Sequence, residues 1–225
     1  NVNTLNSIKK LEKYNADLFV SMSFNQIIKK RLINVPPKGF INCHAGALPF
    51  YRGRCVLNWV LINGEKKFGV TVHFIDEGID TGDIISQKIY NIKQNDNYKT
   101  LLRRSEKYCA NLLVNSIIKI SKKKLSTIKQ SSINKKGSYF KLRKAGDEVI
   151  NWNQNNKDIF NFVRALVKPG PVAESYFREL GHLKIEKVKL LRKKNSKQLK
   201  PGSIIDIKNK KLIISTLNGS ILVEK

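Results

Sequence analysis

Apolar positions recur along the first half of the chain with two alternating periods. In TLNSIKKLEKY (4–14), Leu5, Ile8 and Leu11 fall on one helical face, and DLFVS (17–21) then reads as a short buried strand. SFNQIIKKRLI (23–33) has the spacing of a helix or turn and is closed by Asn34 and the Pro36–Pro37 pair. An apolar start at Gly39, Phe40 and Ile41 predicts a strand running into Asn42. CVLNWVLING (55–64) carries a helical stripe that stops at Gly64, a residue suited to a C-cap. FGVTVHFID (68–76) is β-branched and aromatic, EGIDTG is a turn, and DIISQKIYNI (83–92) is a further strand. A long amphipathic helix is expected over 97–121.

The pattern changes after that helix. KKKLSTIKQSSINKKG (122–137) is rich in Lys and Ser and reads as a surface connector. NNKDIFNFVRALV follows as a helix, ended by Pro169–Gly170–Pro171. ESYF, HLKIEKVKLL, GSIIDI, KLIIST and SILVEK then predict short strands, as in a small sheet or open barrel. The expected organisation is a domain over 1–121, a connector over 122–149 and a β-rich C-terminal domain over 150–225.

Charge adds one consideration. The formal charge is +26, carried by 34 Lys and only 9 Arg. Forked recognition of phosphate and base edges favours Arg, so much of this charge reads as solvated surface with a general pull on anions. No apolar run approaches the ~20 residues that span a bilayer, so no membrane insertion is expected. Cys43, Cys55 and Cys109 are odd in number and lack CxxC spacing, which points away from a disulfide framework or metal site and towards a reducing cytoplasm.

Candidate chemistry gathers at two turns. In INCHAGALPFYRG (41–53), Asn42 and His44 are two apart at a strand end, so their side chains should project to one side. In GIDTGDI (78–84), Asp80 sits in a Gly-bounded turn after the 68–76 strand. If the two strands are neighbours, Asn42, His44 and Asp80 surround one point, each strand delivering its polar residue to the same end. A carboxamide can donate to an oxyanion, an imidazole can shuttle a proton, and a carboxylate can orient that imidazole. Such a set suits attack of an amine on an acyl group without a metal. Deformylation, with water in place of the amine, uses the same set.

These residues carry a family resemblance. Asn42-Cys-His44 with Leu48-Pro49 and Tyr51-Arg-Gly53, followed by Gly69-Val-Thr71 and Gly78-Ile-Asp80-Thr-Gly82, resembles the folate-dependent formyltransferases from about residue 17 to 90. INWNQ…FNFVRALVKPGP resembles the segment that joins their catalytic and C-terminal domains. The resemblance implies an α/β, Rossmann-like catalytic domain followed by a small β-rich C-terminal domain. It implies 10-formyltetrahydrofolate as co-substrate and Asn42, His44 and Asp80 as catalytic residues. Folate-contacting positions map onto Asn25, Gln26, Ile27 and Ile28, onto Gly46, Ala47, Leu48 and Pro49, and onto Asp76. Family members open with a strand–helix–strand ahead of the DLFVS strand; 16 residues precede Asp17 here, so a partial catalytic domain is expected.

Three acceptor readings follow. The CHAG…LPFYRGR…LNW pattern is similar to nucleotide-sugar N-formyltransferases, which formylate the amine of a nucleotide-linked amino sugar, as in O-antigen or surface polysaccharide biosynthesis. Tyr51, Arg52, Arg54 and Trp59 are then the residues expected near the acceptor, and a homodimer is compatible with this reading. The alternative is methionyl-tRNA formyltransferase, with the basic C-terminal unit holding tRNA; the third is a non-catalytic basic binding protein on the same fold.

Overall fold

In the computed structural model, residues 1–191, 199–208 and 211–224 are described. The elements run α1 Leu5–Glu12, β1 Phe19–Met22, α2 Lys30–Ile33, β2 Phe40–His44, β3 Arg52–Gly53 and α3 Val56–Ile62. There follow β4 Lys67–Phe74, β5 Ile84–Asn91, α4 Tyr98–Ser121, α5 Gln130–Ile133 and β6 Tyr139–Phe140. The rest are α6 Asn156–Ala165, β7 Ala173–Phe177, β8 Gly181–Ile185, β9 Lys187–Leu190, β10 Ile204–Lys208, β11 Lys211–Thr216 and β12 Gly219–Glu224. The chain divides into two interleaved units: 1–56, 67–91 and 103–142 form the first, and 57–66, 92–102 and 143–225 the second.

The first unit is built on a four-stranded sheet of order β1-β2-β4-β5. β1 pairs parallel with β2, whereas β4 runs antiparallel to β2 and forms a hairpin with β5. Its register sets the site, because Asn42 lies opposite His73 and His44 opposite Thr71. Directly opposed residues of an antiparallel pair share a face, so these four side chains are on one side of the sheet. Ile8, Ile28, Leu32 and Phe40 form a buried cluster against which Leu11 and Phe19 pack. The Thr4 hydroxyl caps α1 by accepting from the Ser7 N–H, but Leu5 is exposed, so the apolar face of that helix is narrower than its spacing predicts. Of the 23–33 stretch only α2 is helical; the residues from Phe24 to Lys29 form a loop.

The connector differs most from its sequence reading. Ile128 makes an antiparallel bridge to Ile84, and β6 pairs in parallel with β3. Residues 128–140 are thus a strap bonded to the first unit, although nearly every side chain from 121 to 136 is exposed. Backbone pairing, which a Lys/Ser-rich composition does not report, holds it there.

In the second unit, α6 buries Ile159, Asn161, Val163 and Ala165, and the Asn58 carboxamide of α3 donates to the carbonyl of Ala165 at 2.7 Å. The sheet order is β10-β11-β12-β9, with β7 and β8 as a separate hairpin. HLKIEKVKLL is therefore two strands, β8 facing β7 and β9 facing β12, divided at Glu186. The SILVEK strand is observed as β12; its Lys225 lies outside the described residues.

Candidate active site

Asn42, His44 and Asp80 come together, with a fourth side chain that the sequence reading missed. The expected route was different: because β4 is antiparallel to β2, its C-terminal Phe74 pairs with Ile41, at the start of β2. The turn after β4 therefore curls back over the sheet face, and Asp80 reaches Asn42 in mid-strand. Asp80 takes φ 53°, a left-handed conformation that Asp tolerates better than most residues. Its Oδ2 accepts from the Gly53 N–H at 2.9 Å and lies 3.7 Å from His44 Nδ1. Its Oδ1 lies 3.5 Å from both Asn42 Nδ2 and His73 Nε2.

The His44 tautomer follows from its partner. His44 Nε2 is 2.6 Å from the carbonyl of Tyr51, which can only accept, so Nε2 carries the hydrogen and Nδ1 faces Asp80 with its lone pair. His73 Nδ1 lies 2.7 Å from the carbonyl of Phe74, and its Nε2 lies 3.3 Å from Asn42 Nδ2 and 3.5 Å from Asp80 Oδ1. Asn42 turns its nitrogen, not its oxygen, towards Asp80, whose carboxylate can only accept.

Burial, the largest influence, lowers the His44 pKa from its ordinary 6.5, against the opposing pull of the Asp80 carboxylate and the Tyr51 carbonyl; the His73 charge lowers it further. His44 is thus a neutral base near pH 7. The Asp80 carboxylate favours the imidazolium, but desolvation outweighs it. Burial raises the Asp80 carboxyl, but the His73 hydrogen bond, the His44 charge and the Gly53 N–H together hold it at about 2. A neutral imidazole beside a fixed carboxylate can accept a proton at Nδ1 and be stabilised while it holds it.

The loop around the site is braced from several sides. Thr71 Oγ1 donates to the Gly46 carbonyl at 2.7 Å, and Gln87 Nε2 donates to the Leu48 carbonyl, also at 2.7 Å. A Cβ on Gly46 would lie 2.5 Å from both His44 Nε2 and the Tyr51 oxygen. Gly46 is therefore required by the His44 anchor itself. Ala47 is half-buried, while Leu48 and Pro49 are buried.

The remaining expected residues divide. Ile27 is 62% exposed, as an apolar wall for a ring system must be, whereas Ile28 is buried in the Ile8–Leu32–Phe40 cluster and offers no such wall. Two adjacent loop residues face opposite ways here, and their shared residue type hid the difference. Gln26 accepts from the N–H of Val2, and the Asn25 carbonyl accepts from Arg54 at 2.7 Å. Asp76 accepts from Gly78 N–H and Thr81 Oγ1, closing its own turn. Tyr51 stacks on Phe140 with centroids 4.6 Å apart. Arg52 is turned onto Gln130, and Arg54 onto the Asn25 loop. Trp59 belongs to the second unit, where it and Phe162 flank Arg143 at 5.5 and 5.6 Å beside a cleft of about 410 Å³. Among the described residues no group of three or more His, Cys, Asp or Glu could hold a metal ion.

His73 had a sequence signal. In Val70-Thr71-Val72-His73 the polar residues alternate, and pairing with Asn42-Cys43-His44 places both on the site face.

The sheet of the first unit brings Asn42, His44 and Asp80 together, and comparison with known proteins gives the family. Residues 3–117 match the formyl transferase model and 142–225 the formyl transferase C-terminal domain. The methionyl-tRNA formyltransferase of Thermodesulfovibrio yellowstonii is 37% identical over 97% of this chain and 68% of its own length. A solved sugar 3N-formyl transferase, WlaRD, with dTDP and 5-N-formyl-THF, aligns at TM-score 0.72 and 29% identity over 96% of this chain and 76% of its own. The Helicobacter canadensis N-formyltransferase, in complex with folinic acid and dTDP-3-aminofucose, aligns at TM-score 0.73 and 27% identity over 92% and 72%. This chain belongs to the formyl transferase family.

Proposed function

We propose that the protein transfers a formyl group from 10-formyltetrahydrofolate to the amino group of a nucleotide-linked amino sugar. The observation that carries the reading is the buried, neutral His44 whose Nδ1 faces Asp80, with the Asn42 carboxamide beside the same carboxylate. His44 Nδ1 takes the proton of the attacking amine and returns it to the departing nitrogen of the donor. Asn42 donates to the oxyanion that forms on the formyl carbon as the new C–N bond is made, and the bond to the donor then breaks. Asp80 stabilises the transient imidazolium. The exposed Ile27 and the backbone groups of the 25–28 and 46–49 loops suit a flat, polar-edged donor ring.

Two solved sugar formyltransferases at 27–29% identity support the sugar acceptor. A second reading has its own support: several methionyl-tRNA formyltransferases are 32–37% identical over 97% of the chain. An acceptor panel with 10-formyltetrahydrofolate separates the two. Nucleotide amino sugars should yield the formamido product, with only weak inhibition by salt. Turnover of methionyl-tRNA alone, falling steeply with salt as phosphate-backbone binding does, would replace the first reading with the second. Three unpaired cysteines, two of them buried, support a reducing cytoplasmic setting.

A further inference from the structure

Gln130 is an anomaly of the strap. It is 3% exposed in a run where residues 121–129 and 131–136 are all exposed, and its amide is fully used. Nε2 donates to the carbonyl of Asp80 and to the carbonyl of Gly82, each at 2.8 Å. Oε1 accepts from Arg52 Nη2 at 2.7 Å and from Arg52 Nε at 3.1 Å. Arg52 is joined by a peptide bond to Gly53, whose N–H holds the Asp80 carboxylate. The bonds close a ring: Asp80 carboxylate to Gly53, through Arg52 to Gln130, and back to the Asp80 carbonyl.

We propose that Gln130 is a positioning residue for the transfer reaction, fixing the Asp80 carboxylate against His44 by clamping both the turn that carries Asp80 and the strand residue beside its N–H donor. A non-Gly residue at φ 53° persists only where its surroundings over-determine it, and carbonyls held at Asp80 and Gly82 do that for the turn. Gln130 itself bonds the Asp80 and Gly82 carbonyls and Arg52, so it acts through the turn and strand that hold the Asp80 carboxylate. The groups facing His44 are Asp80 from the turn, His73 from β4 and the Tyr51 carbonyl from the loop. Of these only Asp80 is negatively charged, so loosening the clamp has a signed consequence: the His44 pKa falls, as it would on removal of the Asp80 charge.

The inference rests on the formyl-transfer reading of the site, and its test separates the two. Gln130→Glu keeps the acceptor for Arg52 but sets an oxygen against two carbonyls; Gln130→Met removes all four bonds without adding charge. Full-length variants are compared with wild type and Asp80→Asn by steady-state kinetics and by NMR titration of the His44 imidazole. Expected are a kcat loss of roughly 10- to 100-fold, the cost of small misplacement at a reacting centre, little change in acceptor KM, a lowered His44 pKa in Gln130→Met, which adds no charge, and little further loss when Gln130→Met is combined with Asp80→Asn. An unchanged His44 titration, or losses that simply add to those of Asp80→Asn, would overturn the clamp, as would failure of both variants to fold. A wild type that transfers no formyl group to any acceptor sinks the reaction assignment instead, and leaves the His44 titration to judge Gln130.

Discussion

At the scale of single residues, Asn42 and His44 divide the chemistry between a donor and a base. Asn42→Ala is expected to lower kcat by roughly 10²- to 10³-fold, the usual effect of losing one oxyanion donor, with a smaller change in acceptor KM. Asn42→Asp should be no better, since it sets negative charge where charge develops and beside the Asp80 carboxylate, which needs a donor. An Asp variant more active than the Ala variant in the same assay would remove the donor role. His44 has a folded pKa below its ordinary 6.5, so the unfolded state takes up its proton first, and the stability tied to the neutral ring is lost as pH falls below 6.5. The acidic limb of kcat/KM should accordingly lie below pH 6.5, and Asp80→Asn should move it lower still, because the carboxylate raises that pKa. A limb above 6.5 would assign the base elsewhere. At this scale Asn42 and His44 were legible because they are polar and two apart at a strand end, and Asp80 because it sits in a Gly-bounded turn. His73 was overlooked inside an apolar strand, where its meaning depends on the register with β2. Ile27 and Ile28 could not be told apart, since identical side chains in an irregular loop carry no period.

Elements position these groups, and their weak points differ. The 44–53 loop is held through backbone atoms, so a small side chain at the wrong place matters more than a large one elsewhere. Gly46→Ala should displace the His44 ring or the Tyr51 carbonyl and lower kcat by roughly 10²-fold, and a variant with wild-type turnover would show that the His44–Tyr51 bond is dispensable. In the C-terminal sheet, the β12 residue Glu224 meets Lys187 at 3.2 Å, Lys189 at 2.9 Å and Lys211 at 3.1 Å. Hydrogen bonds from Lys189, then Lys211, hold its carboxyl at about 2 rather than 4.5. A depressed carboxyl stabilises above its unfolded value and loses that contribution as pH falls towards its folded one. Glu224→Gln should lower the Tm by a few degrees at neutral pH, and the gap to wild type should close between pH 4.5 and 2. Helices and strands were largely legible from their periods, β5, α4 and α6 to within a few residues. The strap was not, because its order comes from pairing with distant strands, which leaves no period in its own composition. The division of HLKIEKVKLL was hidden for a similar reason: two strands with different partners can follow each other without a turn residue.

For the whole molecule, the excess of Lys over Arg gave a general statement about surface charge, and neither the charge nor the β-rich second region distinguishes a sugar nucleotide from tRNA. The interleaving of the two units was not visible in the sequence at all, because 57–66 and 92–102 sit inside the formyl transferase match at 3–117 while grouping with 143–225. Chain order and spatial order therefore disagree. A fragment ending at residue 142 would keep Leu57, Val60 and Leu61, all buried in the whole chain, without the α6 carbonyl that Asn58 bonds. Expressed alone, residues 1–142 should aggregate, and co-expression with 143–225 should restore a soluble species on size exclusion; a monodisperse 1–142 would argue otherwise. The C-terminal region is thus no cartridge to be exchanged between relatives at its sequence boundary. A chimera that exchanges this region must carry the two short inserts along with the tail, three pieces of chain that can be inherited only together.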